Sequence, residues 1–104
     1  MTGEQLTALL AQRVMGWGIA PGRFLTGNRQ WMPRWRFDPL KKVEDALRLL
    51  ETAAPDRYEI RQERPGVFAV AVLIGRQVGE ARGDDKARTI SMAVARAVGI
   101  EVGT

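Results

Sequence analysis

Residues 57–85 read RYEIRQERPGVFAVAVLIGRQVGEARGDD, and their pattern decides the fold. In Arg57–Arg64, Tyr58 and Ile60 alternate with Arg57, Glu59 and Arg61. That is the period of a strand with one wet face, or of a strand at a sheet edge. Pro65-Gly66 is a turn pair. Val67–Ile74 is apolar at every position, which predicts a central strand covered on both faces. Gly75 turns the chain again into Gln77–Arg82, where polar and small residues alternate. Links this short join only antiparallel neighbours, so the expectation is a three-stranded antiparallel meander.

Helical periods flank this meander. Downstream, Asp84 or Asp85 caps a helix predicted over 86–98, with the stripe Ile90, Val94, Ala97 and Val98 and a stop at Gly99. Upstream, Asp38 followed by Pro39 reads as an N-cap and first helical residue. The predicted helix, 38–53, carries Leu40, Val43, Leu47 and Leu50, widened by Ala46 and Ala53, and ends before Pro55. Residues 2–17 form a third period through Leu6, Leu9, Leu10, Val14 and Trp17, opened by a Thr2/Gln5 capping box and stopped by Gly16 and Gly18. Between them, 18–37 has no clean period and is punctuated by Pro21-Gly22, Thr26-Gly27-Asn28 and Pro33. It is long for a structureless loop, so it holds a short hairpin or has a function.

The fold class is therefore α+β, an α/β sandwich of one domain over 1–104. A three-stranded meander carries the helices 38–53 and 86–98 on one face. The N-terminal helix and the segment 18–37, expected to be irregular, cover part of the other. Leu47, Leu50, Phe68, Val70, Val72, Ile90 and Val94 are the expected core, and Trp17 closes a helical stripe as a structural residue.

Composition narrows the function. The chain has 104 residues, 45% hydrophobic and 27% charged, an ordinary balance for a globular domain. No window approaches the run of about 18 apolar residues that spans a membrane, and the start lacks a basic leader and an apolar signal core, so no export is expected. With no cysteine there is no disulfide framework and no thiolate metal site, which fits a reducing cytoplasm. There is also no histidine, one serine (Ser91) and one tyrosine (Tyr58). Acid–base work near neutral pH usually falls to histidine or to a carboxyl with a raised pKa. The carboxylates here are scattered: Glu44-Asp45 diverge on a helix, and Asp84-Asp85 are explained by capping. A non-enzymatic protein without cofactor or metal is expected.

Charge is more informative. No acidic residue lies between Glu4 and Asp38, a gap that holds Arg13, Arg23, Arg29, Arg34 and Arg36. From Asp38 onward eleven basic and eleven acidic residues cancel, so the five arginines less Glu4 leave the whole net charge of +4 in the first third. Arginines outnumber lysines thirteen to three; a guanidinium suits phosphate or carboxylate, and a GC-rich coding sequence produces the same excess. Arg23–Phe37 interleaves Arg23, Phe24, Arg29, Trp31, Arg34, Trp35, Arg36 and Phe37. This is the composition of nucleic-acid stacking surfaces and of protein–protein hot spots. The same aromatics could instead plug the core while the arginines stay solvated. Lys86 and Arg88 at the start of the last helix form a second candidate anion site, or an ordinary solvated helix end.

Met15-Gly16-Trp17, then Trp31-x-Pro33, a helix with Ala46 in its stripe, an apolar strand around Phe68 and Val70, and a closing helix with Ala87, Ile90, Ala93 and Ala97 resemble the phage ABA sandwich domain family over roughly residues 6–98. Where that family tends to carry serine after Trp-x-Pro, this chain has Arg34. The resemblance implies a phage or prophage origin and an α/β sandwich, and it implies no catalytic residue. The order helix, three strands, helix over 38–98 also resembles the double-stranded-RNA-binding domain, with Lys86 and Arg88 where that domain meets phosphates.

The expected function is that of a phage or prophage accessory protein acting in the host cytoplasm. It would bind an anionic host component, a nucleotide signal or a nucleic-acid-containing complex, as a counter-defence inhibitor. The expected binding residues are Arg23, Arg29, Trp31, Arg34, Trp35, Arg36, Lys86 and Arg88. A protein–protein inhibitor or virion-associated adaptor using the Arg/Trp patch, and an RNA-binding module, are the alternatives. Pairing through an exposed sheet edge makes a homodimer a further expectation, and no membrane partner is expected.

Overall fold

The computed structural model describes residues 2–27 and 29–102. Asn28, read above as part of a turn, and the domain ends Met1, Gly103 and Thr104 lie outside the described residues. The element order is α1 (Gly3–Leu10), β1 (Gly18–Ala20), β2 (Arg23–Gly27), β3 (Gln30–Pro33), α2 (Val43–Ala53), β4 (Arg57–Arg64), β5 (Val67–Ile74), β6 (Gln77–Gly83) and α3 (Lys86–Ala97). Two three-stranded antiparallel sheets form, β1-β2-β3 and β4-β5-β6. Among the described residues no helix is long and apolar enough to cross a membrane.

The C-terminal meander follows its sequence pattern. β5 is central, pairing β4 through Ile60↔Val70 and β6 through Val70↔Ala81. The face of β5 with Val70 and Val72 meets α3, whose Ile90, Ala93, Val94 and Ala97 are buried. Opposite them β6 presents Gly79, Ala81 and Gly83, so the helix backbone comes close to the strand. Phe68, at the strand end beside the bulge between Gln62 and Arg64, is only half-buried. Asp85 is the N-cap of α3, accepting from the Arg88 N–H at 3.1 Å, and Gly99 (φ 84) closes the helix.

Three expectations are corrected. First, α2 begins at Val43 rather than Asp38. The chain makes a tight turn, with the Lys42 N–H donating to the Asp38 carbonyl at 2.8 Å, because Pro39 and Leu40 are inserted into the core. Asp45 in the first turn of α2 accepts from the Asp38 N–H at 2.9 Å. Starting five residues later takes Leu40 out of the helical stripe, and the buried face differs from the expected one: Ala46, Leu49 and Leu50 are buried, Leu47 is half-buried, and Val43 is exposed. Second, residues 18–37 are not irregular. They form the strands β1–β3 and a 3-10 turn at Arg34–Arg36. Third, the N-terminal helix and this segment do not cover the second face of the β4–β6 sheet. α3 lies on one face of that sheet, α2 packs on α3, and the N-terminal elements pack on α2. The other face remains open as a shallow trough of about 370 Å³, floored by Ala69 and Ala71 and walled by charged side chains of β4 and β6.

α1 starts with the expected capping box, Thr2 and Gln5 bonding reciprocally. Its last turn, Ala11–Met15, widens into a π-turn and stops at Gly16 (φ 73). That places Trp17 against Phe24 and Phe37, with centroids 5.7 and 5.0 Å apart. Burying rings such as Phe24 and Phe37 is worth roughly 1.5–3 kcal/mol each, and this aromatic cluster joins the small sheet to the body. Ser91 is fully buried and donates to the Pro39 carbonyl at 2.6 Å, tying α3 to the turn before α2.

Candidate functional site: the Arg/Trp face of the small sheet

Alternation along β2 and β3 divides the Arg/Trp segment into two sets. Phe24 pairs with Met32 and both face the core. Arg23, Leu25 and Trp31 lie on the opposite face, where Leu25 pairs with Trp31. There the Arg23 guanidinium sits 4.2 Å from the centre of the Trp31 ring, and Trp31 is 48% exposed. Immediately after β3, Trp35 is 70% exposed, with the Arg36 guanidinium 5.7 Å from its ring centre. Lys42 donates to the Trp35 carbonyl at 3.4 Å, adding a cation that the sequence reading had placed inside a helix. Arg29 lies exposed in the β2–β3 turn with φ 61.

The choice between core plug and surface is thus resolved residue by residue. Phe37 and Trp17 are the plug; Trp31 and Trp35 are surface. Arg34 belongs with the plug. It is half-buried, its guanidinium lies 5.2 Å from the Phe24 ring centre, and one terminal N–H donates to the Ala20 carbonyl at 3.2 Å. Its Nε is buried with no partner. Arg34 therefore braces β1 against β2, and reversing its charge would report on folding as well as on binding.

Among the described residues the ion pairs are Arg61–Glu59 and Arg82–Glu63, both on the β4–β6 sheet. Neither of these pairs involves an arginine of the small sheet. Lys86 and Arg88 are not joined to those arginines. They lie at the start of α3, an element that contacts β5, β6 and α2, and Asp85 already takes the free Arg88 N–H there. One cation–π contact escaped the sequence reading: Arg48 of α2 lies 5.5 Å from the Trp17 ring centre.

No family model matches the chain, and no curated protein is significantly similar to it. Among solved structures, the chain is similar to a phage protein from Bacillus cereus ATCC 14579, determined at 2.0 Å. The TM-score is 0.74 over 93% of this chain and 92% of that chain, at 14% sequence identity. The two chains share one fold. At that identity the likeness speaks of architecture, and the side chains of the Arg/Trp face have to be argued from their own chemistry.

Proposed function

We propose that the protein is a phage or prophage accessory protein of the ABA sandwich type, and that it binds an anionic, phosphate-bearing host component through the outward face of its small sheet. Binding, not catalysis, is its work in this reading, and interference with a host defence is the role it would serve in the host cytoplasm. The observation that carries the reading is the pair of exposed indoles, Trp31 and Trp35, each accompanied by an arginine, in a stretch with no acidic residue. A guanidinium stacked on an indole keeps its N–H edges free for phosphate while its outer plane can carry a base. The phage fold neighbour supports the origin; the binding role rests on the face itself.

The test is titration of the protein with a single-stranded oligonucleotide, followed by tryptophan fluorescence at several salt concentrations. Quenching is expected, with affinity falling steeply between about 50 and 200 mM salt. Arg23→Glu with Arg36→Glu should abolish it, while the melting temperature stays nearly unchanged because both positions are exposed. A host-lysate pull-down that survives nuclease and high salt and ignores this double reversal would sink the reading. It would favour instead a protein partner gripped by Trp31 and Trp35.

A further inference from the structure

The two edges of the β4–β6 sheet are treated differently. On β6, the Arg96 guanidinium reaches round to the Glu80 carbonyl at 2.5 Å, and Gln77 donates to the Arg96 carbonyl at 3.0 Å. Side chains therefore occupy that edge. Among the described residues β4 has no such cover: its backbone partners are those of the ladder with β5. It is eight residues long, and every residue but Ile60 is exposed. Tyr58 is 54% exposed on the side facing α3. A long open edge is a template for another strand.

We propose that β4 pairs antiparallel with β4 of a second copy of this chain, with Ile60 on the two-fold axis, so that the two sheets become one of six strands. The register follows from symmetry and charge. A two-fold that joins two antiparallel edges stands perpendicular to the sheet, so it keeps like faces together and passes midway between one residue and its own copy on the facing strand. With the axis at Ile60, Glu59 faces the second copy's Arg61, Arg57 faces its Glu63, and Tyr58 faces its Gln62. Along one face the order Arg57, Glu59, Arg61, Glu63 alternates in sign, so opposite charges meet both across and along the strands. Moving the axis to Glu59 sets that carboxylate against itself and Arg57 against Arg61. Moving it to Arg61 sets that guanidinium against itself and Glu59 against Glu63. Like charges opposed in this way destabilise a pair of strands.

Charges placed only to deter pairing would repel in every register; these repel in the neighbouring registers and attract in one. On the opposite face the two Ile60 side chains meet, and Tyr58 is covered beside Gln62. The bulge after Gln62 limits regular pairing to Tyr58–Gln62, with Arg57 and Glu63 as the outermost pair.

The chain has no cysteine, which makes the test clean. Ile60→Cys should cross-link to a covalent dimer on oxidation, because residue 60 is the one that faces its own copy. Glu59→Cys and Arg61→Cys should each form no covalent dimer alone and cross-link when mixed. In sedimentation equilibrium, Glu59→Arg should raise the dimer dissociation constant about tenfold or more, and adding Arg61→Glu to the same chain should restore it. Circular dichroism melts confirm that each variant is folded before it is weighed. A wild-type chain that stays monomeric across the micromolar range would overturn the proposal. So would Glu59→Cys cross-linking alone as readily as Ile60→Cys, or a charge swap that fails to restore pairing.

Discussion

The carbonyl oxygen of Ala93 in α3 occupies the space that a Cβ on Gly79 of β6 would need. The backbone of Ala97 crowds the same point. Neither neighbour is a flexible side-chain end, so the helix and strand must separate before any side chain fits. Gly79→Ala should therefore cost about 1–3 kcal/mol or more, as overpacking does. Gly66→Asn is the control: its φ of 79 suits Asn, and nothing lies within 4 Å of the added Cβ, so the loss should stay within about 1 kcal/mol. Urea melts of the two variants check this, and equal losses would contradict it.

Leu49 and Leu47 separate the observed buried face of α2 from the stripe its sequence suggests. Leu49 is fully buried, and Leu49→Ala should cost about 2–5 kcal/mol. Leu47, a core residue by the earlier phase, is half-buried and should lose less than about 2 kcal/mol on the same truncation. Chemical denaturation that reversed this order would restore Leu47 to the core in place of Leu49.

Single-tryptophan variants read the small sheet directly. Exposures of 8, 48 and 70% for Trp17, Trp31 and Trp35 predict iodide quenching that rises in that order. A Trp31 as protected as Trp17 would mean that something covers the outward face in solution. Since Trp31 lies on the small sheet and β4 on the other, the proposed pairing does not account for such protection.

The fold was legible where local signals agreed. In Arg57–Arg64, Val67–Ile74 and the strand from Gln77, alternation, turn residues and β-branched content point the same way, and the strand ends fall within one residue of expectation. Before α2 two signals conflicted. Asp38-Pro39 has the form of a helix start, yet burying Pro39 and Leu40 and bonding Asp38 to Asp45 holds a turn there instead. In residues 18–37 a short hairpin was one of two expectations, but its strands could not be located, because strands of three to five residues are too short to show a period. The site was half legible. Its composition marked the segment, but only the pairing of β2 with β3 sorts Phe24 and Met32 to the inside and Arg23 and Trp31 to the outside.

That sorting has an evolutionary consequence. The residues that fasten the small sheet, Trp17, Phe24, Arg34 and Phe37, alternate with those it displays, Arg23, Trp31, Trp35 and Arg36. Substitutions at displayed positions cost a domain little, usually within about 0.5 kcal/mol. Such a surface can be rewritten one residue at a time while the fastening set keeps the scaffold folded. A lineage under pressure from a changing partner could diverge quickly on this face and slowly beneath it.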